Sequence, residues 1–371
     1  KWLSFGGWIN AVIPVLIVPY YSVIGGWVIK YLVEYFRGNA KQLAEDGYFT
    51  DFISNGVSTE LCFMAFCAFT LIIIFAGVQN GIERVSKIMM PILIVLSVII
   101  AVYSVTRPGA LAGVKYFLVP NVKNFSWMTV VSAMGQMFYS LSIAMGILIT
   151  FGSYMKKDTA IEDSTRNVEV FDTGIAIMAG LMIIPAVFAF SGGDPDTLQA
   201  GPSLMFITIP KVFQNMGFGT VIGIVFFLLV LFAAVTSSIA LTESAVSTFE
   251  DELGWGRKKA TVLVGVIMLA LGSLSSLGYG PLAGIKIIGM QFLDLFDFLT
   301  NSVMMPIAAL LTSLLVSRVV GIDKIEEEII HGESAFRRKK VFVVMIKYLC
   351  PVFAIIILLS SVANALGWIK M

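Results

Sequence analysis

Apolar residues run along this chain in blocks of roughly 20, the length that carries an α-helix across the hydrocarbon of a bilayer. Short charged or Gly/Pro-rich stretches end each block. Nine blocks fall at about 8–34, 57–78, 86–106, 128–152, 168–191, 218–248, 259–279, 288–317 and 341–364. A helix satisfies its own backbone hydrogen bonds and therefore survives where no water can help. The pattern predicts an all-α polytopic membrane protein of about nine transmembrane helices. It reads as a single bundle over 1–371, with no linker long enough for a second domain, no low-complexity tract and no short-period repeat.

Lys and Arg between the blocks predict which ends face the cytoplasm. The stretches 79–87, 152–168, 250–260 and 318–341 carry 14 of them. The stretches 35–56, 107–127, 191–216, 280–286 and 365–371 carry 8, so the first set is expected to be cytoplasmic. Composition agrees with a membrane protein: 58% of residues are apolar, 13% are charged and the mean hydropathy is +0.90. A soluble chain would carry about twice that charge. The net charge of +1 offers nothing to nucleic acid. Cys62, Cys67 and Cys350 form neither a disulfide framework nor a metal spacing, and the single His331 sits in a charged loop. No hydrolytic, redox or metal-ligand motif is present, so neither enzyme chemistry nor a cofactor is expected. The chain opens Lys1-Trp2 without an initiator Met, which suggests a piece of something longer.

Polar residues inside the blocks carry the functional information. The stretch GQMFYSLSIAMG (135–146) falls in the middle of the fourth block, between Gly135 and Gly146. A helix interrupted there must hand its freed backbone groups to protein or to a water-filled cavity. Such breaks often mark an ion or substrate site at mid-membrane. A kinked helix with back-bonded serines is the alternative reading. The sixth block holds Thr236, Ser237 and Ser238 together. Hydroxyls and nearby carbonyls suit a hard cation such as sodium, although each can also be satisfied by its own helix. Asp172 opens the fifth block, and Asp294 and Asp297 lie i,i+3 in the eighth. A carboxylate near hydrocarbon usually faces a partner or a cavity, although any of these could be a solvated residue at a helix end. Tyr20 and Tyr21 follow Pro19 too deep in the first block for an interfacial belt.

GQMFYSLSIAMG, FGSYMKKD, IPAVFAF, SLMFITIPKVF and FAAVTSSIALTESAVSTFEDEL, in that order, resemble the neurotransmitter:sodium symporter family, most of all its bacterial amino-acid transporters. The resemblance covers essentially the whole chain. It implies an inverted-repeat bundle of two five-helix halves around the substrate, with the chain supplying family helices 3 to 11. The first two helices would then be absent, and the chain as given is not expected to transport alone. By resemblance Ser140 joins one sodium to the substrate carboxylate, and Asp172 completes that site. An acid at this position resembles chloride-independent members. The carbonyl of Ala233, with Thr236 and Ser237, matches a second sodium site.

Around the substrate, Tyr21 resembles the tyrosine that holds the carboxylate, and Tyr139 an aromatic lid. Ile17, Ser142, Met145 and Leu241 match the side-chain pocket, with Ser237 beside it. Met145 stands where some relatives carry Phe, and its adaptable side chain leaves room for larger substrates. Asp297 resembles the outer-gate acid, and Tyr154 and Asp251 parts of the inner gate. Gly81 and Pro91 in GIERVSKIMMP match a pattern linked to unwinding of the fifth family helix. The expected function is sodium-coupled symport of a neutral, hydrophobic L-amino acid, aromatic ones included, independent of chloride. The expected partners are the amino acid, sodium ions and the lipid of a prokaryotic inner membrane. Two other readings stay open: a non-transporting membrane solute sensor, which would need no inner gate, and a structural subunit whose polar groups serve helix packing.

Overall fold

The computed structural model describes residues 2–194, 198, 201–333 and 335–368. These are helical but for turns and one isolated β-bridge, Ile287 to Met290. The apolar blocks form α1 (Trp2–Phe36), α2 (Gly56–Phe75) and α3 (Val78–Val105). The fourth block is two short helices, α4 (Trp127–Ser140) and α5 (Ile147–Ser153). Then follow α6 (Ile161–Ser191), α7 (Gly219–Leu253), α8 (Arg257–Leu277), α9 (Phe292–Val320) and α10 (Lys339–Ala365). Eight helices among the described residues are thus long and apolar enough to cross a membrane unbroken. The expected ninth span is the broken one.

The interior belongs to α1 and α7. Helix α1 packs on α2, α7, α8 and α9, while α7 also meets α3 and α5. Lipid is as apolar as leucine, so close van der Waals fit must hold membrane helices together. Small residues provide it. A Cβ on Gly25 would lie 2.5 Å from the Phe66 ring, and one on Gly26 only 2.7 Å from the Phe63 amide nitrogen of α2. Pro19, inside α1, carries no N–H and leaves a carbonyl one turn earlier without its helical partner. Of the two side chains that follow it, Tyr21 lines the site described below, while Tyr20 is buried against Thr300 and Asn301. Helix α3 begins with a π-helical turn over Val78–Glu83 around Gly81, whose Cβ would collide with the Ile73 carbonyl.

Each end of the bundle ties its own loops together. At one end Trp27, Tyr31, Phe49, Phe206 and Phe227 form an aromatic knot, with Phe49 and Phe206 stacked at 5.1 Å. The Tyr31 hydroxyl donates to the Phe206 carbonyl at 2.8 Å. Lys211 pairs with Asp46 there and holds that carboxyl below the usual range. At the other end two carboxylates cap backbone reciprocally. Glu333 Oε1 accepts from the amides of Glu162 (2.6 Å) and Asp163 (3.2 Å), in the first turn of α6. Glu162 accepts in return from the amides of Arg337 (2.8 Å) and Arg338 (3.1 Å), which lead into α10. Each tie joins stretches that the Lys/Arg distribution assigns to one side.

The α1–α2 contact yields a test. Gly26→Ala is expected to cost about 1–3 kcal/mol, the usual penalty of overpacking a tight contact. Gly7→Ala, on the same helix with nothing within 4 Å of its Cβ, should cost nothing. Thermal melts of the detergent-solubilised protein separate the two.

Candidate functional site

Helix α4 does not break at Gly135, whose Cβ would point into open space. It runs on to Ser140 and ends in a Schellman-type cap. The amide of Ile143 bonds the Phe138 carbonyl (3.0 Å), and that of Ser142 bonds the Tyr139 carbonyl (3.1 Å). The left-handed position of that cap, usually glycine, is Ser142 at φ 54. Ala144 (φ 59) and Gly146 (φ 76) are left-handed as well. Two side-chain-bearing residues in that region cost of order 1–3 kcal/mol each and persist only where the surroundings enforce them. The enforcement is visible at Gly146. A Cβ there would meet the Asn10 carbonyl of α1 and Ser244 Oγ of α7, each at 2.8 Å. Thr150 of α5 adds a hydrogen bond to Ser244 Oγ (3.1 Å). Among the described residues the amides of Ala144, Met145 and Gly146 donate to no backbone carbonyl.

Beside this break lies a cavity of about 470 Å³. Helix α1 contributes Tyr21. The end of α4 and the break contribute Tyr139, Ser140, Ser142 and Met145, and α7 contributes Thr236, Ser237 and Leu241. Ser140 and the Thr236–Ser237 pair, about a hundred residues apart in sequence, therefore border one space. The three adjacent hydroxyls of α7 point three ways. Ser238 is buried against Thr70 (3.2 Å). Thr236 donates back to the carbonyls of Phe232 and Ala233, both at 3.0 Å, which leaves its oxygen lone pairs free. Ser237 is exposed to the cavity, with the Tyr21 hydroxyl as its neighbour.

Two expected residues stand just behind the surface. Asp172, half-buried on α6, accepts the Ser140 hydroxyl at 2.5 Å, which joins the break to the next helix. Ala233 presents its carbonyl to Thr236. Ile17, one turn from Tyr21, is packed in the core at 1% exposure and does not line the cavity. All of this is oxygen chemistry: hydroxyls, one carboxylate and one carbonyl. No group of three or more His, Cys, Asp or Glu residues suited to a metal exists among the described residues.

Two further polar clusters tie the helices around the site. On one side Asn301 donates to Asp297 Oδ1 (2.6 Å) and to the Tyr20 hydroxyl (3.3 Å), and Tyr20 also meets Thr300 (3.3 Å). Asp294, on the same helix, instead takes the Tyr279 hydroxyl (3.0 Å). On the other side Tyr154 donates not to Asp251, which is exposed at the end of α7, but to Glu243 Oε1 at 2.7 Å. Glu243 is fully buried and clamped by Arg257, Nη1 to Oε1 at 3.0 Å and Nη2 to Oε2 at 2.5 Å. Arg257 Nε reaches on to the Ile74 carbonyl (3.0 Å), so this knot binds α2, α5, α7 and α8. Sequence reasoning passed over Glu243. The signal was an acid within the apolar part of the helix, ahead of the acidic run 250–252 and of an arginine that opens the next helix.

A buried ion pair broken on one side leaves a bare charge. Arg257→Met is expected to cost about 3–5 kcal/mol, and Tyr154→Phe about 1.5–3 kcal/mol, for one bond to a charged group. The double variant Glu243→Met/Arg257→Met should recover most of the loss in thermal melts. A double variant no more stable than Arg257→Met would show that the pair is not what Arg257 serves.

Known proteins place this arrangement. The model of the Sodium:neurotransmitter symporter family matches residues 33–368. The uncharacterised sodium-dependent transporter YhdH of Bacillus subtilis is 34% identical over 96% of this chain and 79% of its own length. An uncharacterised sodium-dependent transporter of Haemophilus influenzae is 30% identical over 93% of this chain and 76% of its own. Among solved structures, MhsT in complex with L-phenylalanine superposes with a TM-score of 0.84 at 33% identity, over 97% of this chain and 82% of that one. The chain belongs to the sodium:neurotransmitter symporter family and is a multi-pass, sodium-dependent membrane transporter, not an enzyme.

Proposed function

We propose that this chain belongs to a symporter that carries a neutral, hydrophobic L-amino acid, aromatic ones included, inward with sodium and without chloride. Its membrane would be the inner membrane of a prokaryote. The observation that carries this reading is the meeting of Ser140 with Thr236 and Ser237 around one cavity, under Tyr21 and Met145. Ser140 and Asp172 would hold one sodium, and the Ala233 carbonyl, Thr236 and Ser237 another. A hard cation stripped of water wants several such oxygens. The cavity's other wall is apolar, with Leu241 and the unbranched Met145, which suits a large hydrophobic side chain. The relative MhsT, solved with L-phenylalanine, supports an aromatic substrate.

Coupling follows if the substrate carboxylate completes the sodium shell at Ser140, so that each ligand binds better with the other present. Tyr21 would orient the carboxylate. Tyr139 would close over the substrate, with Asp297 at the outer gate and Tyr154 and Asp251 at the inner one. The Glu243–Arg257 clamp would help hold that inner side shut, and its release would open the way out. The membrane potential adds about 2.3 kcal/mol per charge per 100 mV to inward movement.

Binding of labelled phenylalanine, leucine and tryptophan to the full-length parent protein is expected to weaken about 5–150-fold when potassium replaces sodium, the range of ordinary allosteric coupling. Thr236→Val with Ser237→Ala should lose the sodium response. Equal affinity in both salts would refute the mechanism. The fixed charge of Asp172 stands in for an anion, so Asp172→Ser is expected to make uptake require chloride. A variant that transports equally well with and without chloride would rule out that role.

A further inference from the structure

The second half of the broken span is anchored by hydroxyls. Helix α5 has only seven residues, too few to stand as a helix without support. Among the described residues it packs chiefly on α7. Thr150, at 8% exposure, is its buried residue. A threonine inside a helix commonly turns its hydroxyl back to a carbonyl one turn earlier. Thr236, Thr242 and Thr248 of α7 all do so. Thr150 instead reaches across the contact. Its Oγ1 donates to Ser244 Oγ (3.1 Å) and meets Ser247 Oγ at 3.3 Å. Ser247 is in turn a neighbour of the Tyr154 hydroxyl, which donates to Glu243. The seam between α5 and α7 is therefore a run of side-chain hydrogen bonds.

These partners continue the stripe of α7 that faces the cavity. Ser237, Leu241 and Ser244 follow one another at i, i+4 and i+7, on one face of a helix. The first two line the cavity, and the third takes the Thr150 hydroxyl. One continuous helix thus carries both a wall of the cavity and the anchor of α5. The break lies between them. Its Ser142 and Met145 line the cavity, as does Ile147, the first residue of α5, whereas Thr150 does not. An apolar contact is non-directional and tolerates sliding. Hydrogen bonds are directional, and a pair of them fixes the register of one helix on another.

We propose that Thr150 is a positioning residue for solute binding. Its hydroxyl sets the register of α5 on α7 and so holds Met145 and Ile147 against Ser237 and Leu241, without touching the solute. This deepens the transport reading and rests on it for the identity of the solute.

The test is Thr150→Val in the full-length parent protein. The methyl group stays, the hydroxyl goes, and Ser247 keeps its bond to the Ser244 carbonyl (3.2 Å). Affinity for labelled phenylalanine in saturating sodium is expected to fall about tenfold, what one or two net hydrogen bonds supply. Amide hydrogen exchange over 147–154, read without any solute, should quicken by a similar factor. Thr150→Ser, which keeps the hydroxyl, should restore both. Ser153→Ala, whose hydroxyl bonds only back to the Thr150 carbonyl, should change neither. Should Thr150→Val fold poorly, Ser244→Ala with Ser247→Ala removes the same bonds from the other side and should show the same losses. Adding Thr150→Val to that pair should then cost nothing more. A lowered melting temperature with affinity intact, or no recovery in Thr150→Ser, would overturn the proposal. Binding that Thr150→Val weakens but that is equally tight in sodium and potassium would support the positioning role and sink the sodium-coupled reading alone.

Discussion

A backbone that leaves the helical path in the middle of a membrane exposes amides and carbonyls where no water waits. That constraint organises this protein. The left-handed residues Ser142, Ala144 and Gly146 end one helix and begin another within a few residues. The strained stretch is held because α1 and α7 press against it from two directions, at the Asn10 carbonyl and at Ser244. Helix α1 is itself the best buried span among the described residues, and its glycines bring α2 close enough to clamp it. The outer helices can therefore be read as scaffolding for two rigid walls, and the walls as support for one irregular loop.

Charge follows the same economy. The buried acid of α7, Glu243, meets a guanidinium, a phenol and, through Arg257, a carbonyl of α2. Asp172 and Asp297 each take a hydrogen bond from a neighbouring polar side chain instead. The site between them is lined by neutral hydroxyls, and such a lining stays polar without a fixed positive charge to repel a cation.

Much of this could be read from the residues, for reasons that differ by place. The long spans were legible because twenty apolar residues in a row have few other uses. The boundaries of α2, α6, α8 and α10 lie within several residues of expectation. The broken span was legible as broken, but its breakpoint was not. Gly135 and Gly146 looked equivalent in sequence, yet the first sits in ordinary helix and the second touches two neighbours. Ser142 and Ala144 carry no signature of a left-handed backbone, since tertiary packing sets their conformation. The gathering of Ser140 with Thr236 and Ser237 followed from family likeness, not from spacing. The partner of Tyr154 was hidden for another reason. Whether α7 aims Glu243 or Asp251 at it depends on helix rotation, which composition does not encode.

The paired carboxylates Glu162 and Glu333 also constrain how the bundle can rearrange. Each leaves its own segment to satisfy amides of the other, four in all. The start of α6 and the approach to α10 are thereby fastened like two hooks through one another's eyes. A rigid-body shift of either helix along its axis must drag its companion, or give up four hydrogen bonds at once.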